Sequence, residues 1–309
     1  MSINVVTGGS GFIGSHLVEH LNKLGKRVLI LDKVLPNYKL PEDVLFEQVD
    51  LSNPNWKYCG DSVDLLFHLA ADPWSMVKGS SWFNGSRKAF YNNTLATYNV
   101  IEQTKPKHII FSSTANIYGE GLKKSEDSPI SLTSQYGYSK YIAEEIIRNS
   151  EIPYTIFRFG TVVGSRGRTF PNRLVWSAIN GIPIQLFYDG KAKRDIIDVK
   201  DVVETITRGR EFQKLRDNTY NLSIGKDITN KQMANLVAER ALARGYNLGF
   251  SLSPFVAPGY IKYSTLFTGK MQRLYKWKPT QTYNEIFNSL FDYYINNPSA
   301  LEPPSWETL

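Results

Sequence analysis

Short apolar runs alternate with amphipathic stretches along the first half of this sequence. The runs at 2–7 (SINVVT), 27–31 (RVLIL) and 108–112 (HIIFS) are rich in β-branched residues, which is typical of buried parallel strands. Helical patterns follow at 15–25 and 89–103. Strands that alternate with helices in this way predict an α/β fold built on a doubly wound parallel sheet. Further strands are predicted at 44–48, 65–69 and 154–158, and a further helix at 136–149.

The pattern becomes irregular after residue 160. The elements predicted there are a strand at 194–199 and helices at 174–180, 202–210, 230–244 and 283–296. This change predicts a second, smaller α/β lobe that follows the sheet.

The charge of the chain is uneven. Its 309 residues carry 36 Lys and Arg against 29 Asp and Glu, a net charge of +7. Residues 1–150 hold 15 basic and 15 acidic side chains, whereas residues 151–309 hold 21 and 14. An excess confined to the second half indicates a negatively charged ligand there. Because 42% of the residues are hydrophobic and 40 are aromatic (6 Trp, 18 Tyr, 16 Phe), intrinsic disorder is excluded for most of the chain.

The cysteine and histidine content and the hydropathy of the chain limit the compartment and the kinds of site that we expect. The single cysteine, Cys59, cannot form an internal disulfide, and four His with one Cys show no metal-ligand spacing. The N-terminus has no basic stretch followed by a long apolar one, and no run approaches the ~18 apolar residues that a membrane helix needs. We expect a soluble, cytoplasmic protein with no metal and no membrane partner.

A glycine motif lies between the first strand and the first helix. Gly8, Gly11 and Gly14 form G-x-x-G-x-x-G, in which the first glycine permits a tight turn. The second lets a pyrophosphate approach the helix N-terminus, and the third lets helix and strand pack closely. A glycine turn without a ligand is the alternative. The motif predicts a Rossmann domain over 1–165, to which segments near 190–210 return, with a mainly substrate-binding lobe over 166–309.

An acidic residue ends the second strand. Asp32 is placed to accept hydrogen bonds from the ribose of a dinucleotide, and its charge would repel a 2′-phosphate, so NAD is favoured over NADP. The adjacent Lys33 weakens that preference. Asp50 follows the next strand and could reach an adenine, although a solvated loop aspartate is the commoner case.

A tyrosine and a lysine share one face of a predicted helix. Tyr136 and Lys140 stand four residues apart, and a nearby ammonium would let the phenol act as a base near neutral pH. Chance spacing on a surface helix is the alternative, since the chain has 18 Tyr. Ser113 and Thr114 end a strand at the same edge of the sheet as the glycine motif. Together these groups indicate a site that interconverts an alcohol and a carbonyl beside a nicotinamide.

The order of these motifs resembles that of the extended short-chain dehydrogenase/reductase superfamily. Within it, the chain resembles the NAD-dependent epimerase/dehydratase family acting on nucleotide sugars, and its UDP-glucose 4-epimerase type. The segments that carry the resemblance over residues 1 to about 290 are TGGSGFIG, Asp32, Asp50-Leu51, HLAA (68–71), NNTLAT (92–97), SSTANIYG (112–119), YGYSK (136–140) and DGKAKRDIIDVKDVV (189–203).

The resemblance implies roles for single residues. Tyr136 would be the catalytic base, Lys140 its partner and Thr114 the hydroxyl that orients the substrate. Implied cofactor residues are Gly8, Gly11, Phe12, Ile13, Gly14, Asp32, Lys33, Asp50, Leu51, Leu69, Ala70, Ala71, Asn93, Ser112, Tyr136 and Lys140. Implied substrate residues are Ser113, Thr114, Thr161, Asn172, Arg173 and Arg194. It also implies NAD as cofactor, a UDP-sugar as substrate, and a homodimer formed through the helices at 89–103 and 136–149.

The chain departs from the family pattern after the Ser-Thr pair, and these departures distinguish among the reactions of the family. Sugar 4,6-dehydratases carry Asp-Glu after the Ser-Thr pair, and decarboxylases tend to carry a Glu at the second position, whereas this chain has Ala115 and Asn116. Neither residue transfers protons at ordinary pH. The expectation is therefore a nucleotide-sugar 4-epimerase. A keto-sugar or carbonyl reductase is the alternative, and a dehydratase or a non-catalytic dinucleotide- or nucleic-acid-binding protein is less favoured.

Other departures concern substrate binding. Thr161 replaces an Asn that is usual in the family, and Ala257 replaces an arginine that commonly binds the diphosphate. Arg194 is then the first candidate for the diphosphate, ahead of the loop arginines Arg166, Arg168 and Arg173. The loop at 72–88 is a candidate lid or specificity element, with an ordinary surface loop as the alternative. His68 is interpreted as structural.

Overall fold

The computed structural model describes residues 2–72, 87–214, 218–256 and 260–301. The chain divides into two compact units. The first comprises 1–117, 130–158 and 203–220, and the second comprises 118–129, 159–202 and 221–309. The predicted domain limit at 165 stays a prediction.

A parallel sheet dominates the first unit. Its strands are β1 (Ser2–Thr7), β2 (Val28–Asp32), β3 (Val44–Gln48), β4 (Ser62–His68), β5 (His108–Thr114), β7 (Tyr154–Phe159) and β12 (Thr219–Leu222). Over the described residues these seven strands are ordered β12-β7-β5-β4-β1-β2-β3, and the pairings from β3 through β5 are parallel. The predicted fold class, a doubly wound parallel sheet, is confirmed.

The described helices are α1 (Phe12–Lys23), α2 (Ala96–Thr104), α3 (Gln135–Arg148), α4 (Phe170–Asn180), α5 (Val199–Thr207), α6 (Asn230–Leu242), α7 (Gly269–Tyr275) and α8 (Tyr283–Asn296). A π-helical turn, Phe90–Leu95, precedes α2, and short 3₁₀ turns lie at Ala115–Tyr118, Tyr188–Gly190, Gly209–Glu211 and Pro298–Leu301. No helix among the described residues is long and apolar enough to span a bilayer.

Burial on the sheet explains the apolar runs. Every residue of β5 is buried, because a parallel sheet is covered on both faces. Ile109 of β5 shares a core cluster with Val100 of α2 and with Ala143 and Ile147 of α3. These contacts fix α3 against the strand that ends at Thr114.

The strand order changes direction at β1. From β1 the chain builds β2 and β3 on one side, and β4, β5, β7 and β12 on the other. In open α/β sheets, ligands bind beyond the carboxyl ends of the strands at such a switch point. The strand ends that meet at this edge are Thr7 of β1, His68 of β4 and Thr114 of β5.

The second unit is built from short strands and helices, and three of its described helices share a core cluster. Its strands are β6 (Gly121–Lys124), β8 (Thr161–Val163), β9 (Ile184–Leu186), β10 (Lys193–Arg194), β11 (Ile196–Asp198), β13 (Ile228–Thr229), β14 (Phe250–Leu252) and β15 (Tyr263–Leu266). They form the sheets β13-β10-β15-β6, β11-β8 and β14-β9. Val175 of α4, Val237 of α6 and Phe287 of α8 lie in one core cluster. Capping boxes at Thr229 and Thr282 begin α6 and α8.

The structure adds elements that were not predicted, among them β6, β14, β15 and α7, and it changes two predicted ones. The strand predicted at 194–199 is divided into two short strands, β10 and β11, which belong to different sheets. Asp195 is the residue between them. The helix predicted at 89–103 begins as the π-helical turn. The division of the strand depends on partners distant in sequence, which periodicity does not reveal.

Candidate active site

The glycine loop follows β1 and admits only glycine at two positions. Gly8 has φ 71°, and a Cβ there would lie 2.7 Å from the amide nitrogen of Ala70. A Cβ on Gly14 would overlap the carbonyl oxygen of Gly8. The loop is closed by a hydrogen bond from Gly11 N to Gly8 O at 3.0 Å.

This loop presents the N-terminus of α1. Gly11 is the N-cap and supplies no side chain to bind the amides of the first turn, which include Phe12, Ile13 and Gly14. Those amides have no carbonyl partner within a helix, and the helix dipole adds positive charge there. No acidic side chain stands in the first turn. The residues present therefore fit the pyrophosphate of a dinucleotide.

Asp32 is held beside the same loop. Its Oδ2 accepts from Ser10 N at 3.0 Å, and its Oδ1 accepts from Val34 N at 3.1 Å. Each carboxylate oxygen can accept a further bond, so Asp32 can still receive ribose hydroxyls. Lys33 Nζ lies 3.4 Å from Asn92 Oδ1 on the π-helical turn.

Asp50 forms a local turn. Its Oδ1 accepts from Ser52 N at 2.9 Å and from Ser52 Oγ at 2.7 Å. Burial acts to raise the pKa of Asp50, but these hydrogen bonds and the charge of Lys33 outweigh it and lower that pKa. Leu51 is buried, and its carbonyl accepts from Asn99. Contact between Asp50 and an adenine stays a prediction.

His68 connects β1, β4 and the start of α2. Thr97 Oγ1 donates to Asn93 O at 2.6 Å, so His68 Nε2, 2.8 Å from that hydroxyl, must be the donor to it. His68 Nδ1 then accepts from Thr7 Oγ1 at 2.7 Å, and Thr7 Oγ1 accepts from Ala70 N at 3.1 Å. Burial, helped by the charge of Lys140, lowers the pKa of His68 to about 3. This neutral ring fixes the positions of the Ala70 backbone and of the Asn93 backbone.

The side chain of Asn93 is committed to protein partners. Its Oδ1 accepts from Asp72 N at 2.6 Å, and its Nδ2 donates to Ser139 Oγ at 2.9 Å. Leu69 and Ala71 are half-buried beside these residues in the chain. Asn93 thus links the segment after β4 to α3, and cofactor contact by its side chain stays a prediction.

Ser113 at the end of β5 faces the side opposite to Ser112 and Thr114, because successive side chains of a strand alternate between the two faces. Ser112 Oγ donates to His68 O at 3.3 Å, whereas Ser113 Oγ donates to Glu144 Oε1 at 2.5 Å. Thr114 Oγ1 accepts from Asn116 N at 3.2 Å, which leaves its hydroxyl hydrogen for another acceptor. Of the predicted substrate hydroxyls, the geometry favours Thr114 over Ser113.

The helix α3 begins against the turn that follows Thr114. Ser134 caps it by accepting from Gly137 N at 3.0 Å. A Cβ on Gly137 would lie 2.9 Å from Asn116 O, so the glycine lets the two backbones approach. This contact sets the position of Tyr136 relative to Thr114.

Burial perturbs both groups of the predicted catalytic pair. Burial raises the pKa of Tyr136 to about 12. Burial also lowers the pKa of Lys140 to about 7, and the charge of Glu144 opposes that shift. Lys140 Nζ lies 4.1 Å from the centre of the Phe111 ring, which favours its cationic form. A phenol with a raised pKa needs a cationic neighbour to lose its proton, and the roles of Lys140 as that neighbour and of Tyr136 as a base stay predictions.

Glu144 and Arg158 were missed from the sequence. Glu144 lies four residues after Lys140 on α3, and its Oε2 accepts from Arg158 on β7 at 2.7 Å. The same four-residue spacing that joins Tyr136 to Lys140 was the available signal, together with an arginine inside the otherwise apolar run YTIFRF.

Arg194 in the second unit binds carbonyl oxygens. It donates to Lys193 O at 2.9 Å, to Lys262 O at 3.1 Å and to Ile261 O at 2.7 Å. Its guanidinium also lies 5.8 Å from the centre of the Tyr260 ring. Arg194 therefore braces the segment before β15, and phosphate contact through its remaining N–H groups stays a prediction.

The other predicted substrate residues differ in exposure. Asn172 is fully buried and donates to Gly164 O at 2.7 Å, so its amide serves the interior of the second unit. Thr161 and Arg173 are half-buried. Substrate contact by these residues stays a prediction. Ala257 and residues 73–86 of the loop at 72–88 lie outside the described residues.

Comparison with known proteins identifies the family of the chain. The model of the NAD dependent epimerase/dehydratase family matches residues 4–223. A protein of Bacillus subtilis named as an uncharacterized UDP-glucose epimerase is 34% identical over 76% of this chain and 81% of its own. UDP-glucuronic acid decarboxylase 2 of Arabidopsis thaliana is 30% identical over 76% of this chain, but over 56% of its own length.

The solved structures agree in fold. The crystal structure of the UDP-glucose 4-epimerase of Thermotoga maritima with UDP-glucose is 25% identical, with a TM-score of 0.82 over 96% of this chain and 100% of that one. The resemblance found in the sequence is confirmed, and NAD is the cofactor that the glycine loop and Asp32 fit. The chain belongs to the NAD dependent epimerase/dehydratase family.

Proposed function

We propose that this protein is an NAD-dependent epimerase that inverts C4 of a UDP-hexose. The observation that carries the proposal is the turn after Thr114. Ala115 there is buried and has no ionisable group, and the amide of Asn116 cannot exchange a proton at ordinary pH. Elimination of water needs a further acid and base beside the sugar, whereas epimerisation at C4 needs only Tyr136 and its partner.

The reaction follows from the residues around α3. Tyr136 would take the proton of the C4 hydroxyl while the ammonium of Lys140 stabilises the phenolate. Thr114, with its hydroxyl hydrogen available, would orient the sugar by donating to a substrate oxygen. Bound NAD supplies the hydride acceptor and donor. Tyr136 returns its proton when the keto sugar is reduced on its other face, so the cycle has no net redox change.

The names of the relatives support a UDP-sugar. The Bacillus subtilis protein and the Thermotoga maritima enzyme are both named for UDP-glucose, whereas the plant relative acts on UDP-glucuronic acid. The test therefore uses UDP-glucose, UDP-galactose, their N-acetyl counterparts and UDP-glucuronic acid, and follows each sugar by proton NMR.

We expect one pair of C4 epimers to interconvert to equilibrium without a net change in the absorbance of reduced nicotinamide. Tyr136→Phe should abolish turnover and leave NAD binding intact, since only the hydroxyl is removed. Stoichiometric formation or loss of reduced nicotinamide would favour the alternative, a keto-sugar or carbonyl reductase. No interconversion of any of these sugars would contradict the proposal.

We also propose a homodimer formed through α2 and α3. Tyr98 and Tyr138, on these helices, are 52% and 55% exposed, and large exposed aromatic side chains are enriched at interfaces. Light scattering on the purified protein tests this, and a monomer at micromolar concentration would contradict it.

A further inference from the structure

A buried carboxylate continues the row of Tyr136 and Lys140 along α3. Glu144 is fully buried, and its Oε1 accepts from Ser113 Oγ at 2.5 Å and from Arg158 Nε at 3.0 Å. Its Oε2 accepts from one Arg158 nitrogen at 2.7 Å and from Arg148 at 3.0 Å. Both oxygens are thus bound by side chains from β5, α3 and β7.

We propose that Glu144 is a positioning residue that holds the strand bearing Thr114 in register with the helix bearing Tyr136 and Lys140. This inference rests on the proposed function, because it assigns the positions of that function's groups. A stable fold alone does not require such a carboxylate, since buried ion pairs can often be replaced by apolar side chains without loss of stability.

The positional argument begins at the end of β5. Ser113 directly precedes Thr114, and its hydroxyl is bound to the carboxylate of Glu144. On α3, residues four apart lie on one face, so Tyr136, Lys140 and Glu144 form one row. A single side chain therefore ties the strand end that carries the substrate hydroxyl to the row that carries the base. Two-point binding by Arg158 prevents Glu144 from rotating away.

Glu144 also acts on the charge of Lys140. The groups that face Lys140 are Glu144, the Phe111 ring and His68, whose low pKa keeps it neutral. Among the described residues, Glu144 is the anion whose charge acts on Lys140, and it raises the pKa of Lys140 against the effect of burial.

Glu144 itself stays ionised. Burial acts to raise its pKa, but hydrogen bonds and charge from Arg158, the charge of Arg148 and the Ser113 hydroxyl together lower it. A permanent negative charge four residues from Lys140 therefore favours the ammonium that Tyr136 needs. Removing that charge should reduce the fraction of ammonium at a given pH.

Three variants distinguish the effect of Glu144 on the position of the strand end from its effect on the charge of Lys140. Ser113→Ala removes the link to β5 and leaves every charge in place. Glu144→Gln keeps the shape of the side chain and removes its charge. Glu145→Gln is the matched control, because Glu145 is the next residue of α3 and binds the same Arg148 at 2.7 Å, yet its side chain is 45% exposed.

We measure kcat and KM across pH, with thermal unfolding as a check on folding. Ser113→Ala should lower kcat by about tenfold with little change in KM, because the base and the substrate hydroxyl lose their register. Glu144→Gln should lower kcat and move the alkaline fall of kcat to lower pH by roughly one unit, whereas Glu145→Gln should change neither. In the double variant of Ser113 and Glu144 the losses should not add, because both remove the same link.

A second readout does not depend on turnover. Carbon NMR of the lysine ε-methylene groups, assigned with Lys140→Met, follows the titration of Lys140 directly. If this titration shifts in Glu144→Gln while no sugar is turned over, the proposed function fails and the charge effect stands.

Other results overturn the inference. If Ser113→Ala keeps the wild-type kcat, Glu144 has no positional role. This result decides the question even if Glu144→Gln does not fold. A rise in KM without a fall in kcat in Ser113→Ala indicates direct substrate contact by Ser113 instead. An unshifted Lys140 titration in folded Glu144→Gln removes the effect on charge.

Discussion

The close contact at Gly137 provides a sharp test of how the site is assembled. An alanine there would place its Cβ 2.9 Å from Asn116 O, 3.0 Å from Ser134 Oγ and 3.2 Å from the carbonyl carbon of Asn116. The first and third atoms belong to backbone, which cannot rotate away as a side chain can. The start of α3 and the turn after β5 must therefore separate by a few tenths of an ångström.

Two effects on stability oppose each other in Gly137→Ala. Alanine favours a helix over glycine by about 1 kcal/mol. Overpacking at a tight contact costs about 1–3 kcal/mol. The net loss should stay within about 2 kcal/mol, so the variant should fold and its Tm should fall by only a few degrees.

Catalysis is more sensitive than stability to the same shift. A misplacement of about 1 Å can cost about a hundredfold in rate, so a few tenths of an ångström between Tyr136 and Thr114 should lower kcat by about tenfold. Gly249→Ala is the matched control, because a Cβ there meets only Pro183 Cβ, at 3.7 Å. The assay compares kcat for epimerisation with Tm for both variants. A Gly137→Ala enzyme with wild-type kcat would refute the reasoning that this contact sets the geometry of the site.

Three further expectations can be checked separately. Asp32→Asn should weaken NAD binding by about 1.5–3 kcal/mol in calorimetry, since a charged acceptor for the ribose is lost; unchanged affinity would place the ribose elsewhere. Burial raises the pKa of Asp195 to about 7 from 3.8, so wild-type stability should fall as pH rises through that window, and urea unfolding of Asp195→Asn should lack this fall. Arg194→Lys should lower Tm, because one ammonium cannot replace a guanidinium bound to three carbonyls. Its KM for the UDP-sugar should also rise if Arg194 holds the diphosphate, and an unchanged KM would leave Arg194 with the bracing role alone.

The parts of the site that could be predicted from sequence are local in the chain. The glycine loop, Asp32 and the row of Tyr136 and Lys140 each depend on short spacings within one strand–helix unit. The strand β3 and the helix α8 were predicted with the bounds that the structure has.

The parts that could not be predicted depend on pairs far apart in sequence. Ser113 and Glu144 are 31 positions apart, and Arg158 is 14 positions beyond Glu144. In the second unit, β10 pairs with β15, so Lys193 lies opposite Tyr263. A strand of two residues has no alternation to detect, and only its distant partner defines it.

The distribution of charge gains a physical meaning from these contacts. An unpaired charge buried beside Tyr136 would cost several kcal/mol, so the cations and anions around Lys140 must balance locally. The buried carboxylate of Glu144 is paired in this way with Arg158 and Arg148. Arg194 differs, because its guanidinium donates to three neutral carbonyl oxygens, those of Lys193, Ile261 and Lys262, while the charge of Glu120 also acts on it. The excess of +7 over residues 151–309 is in keeping with the proposed sugar diphosphate ligand, which is an anion.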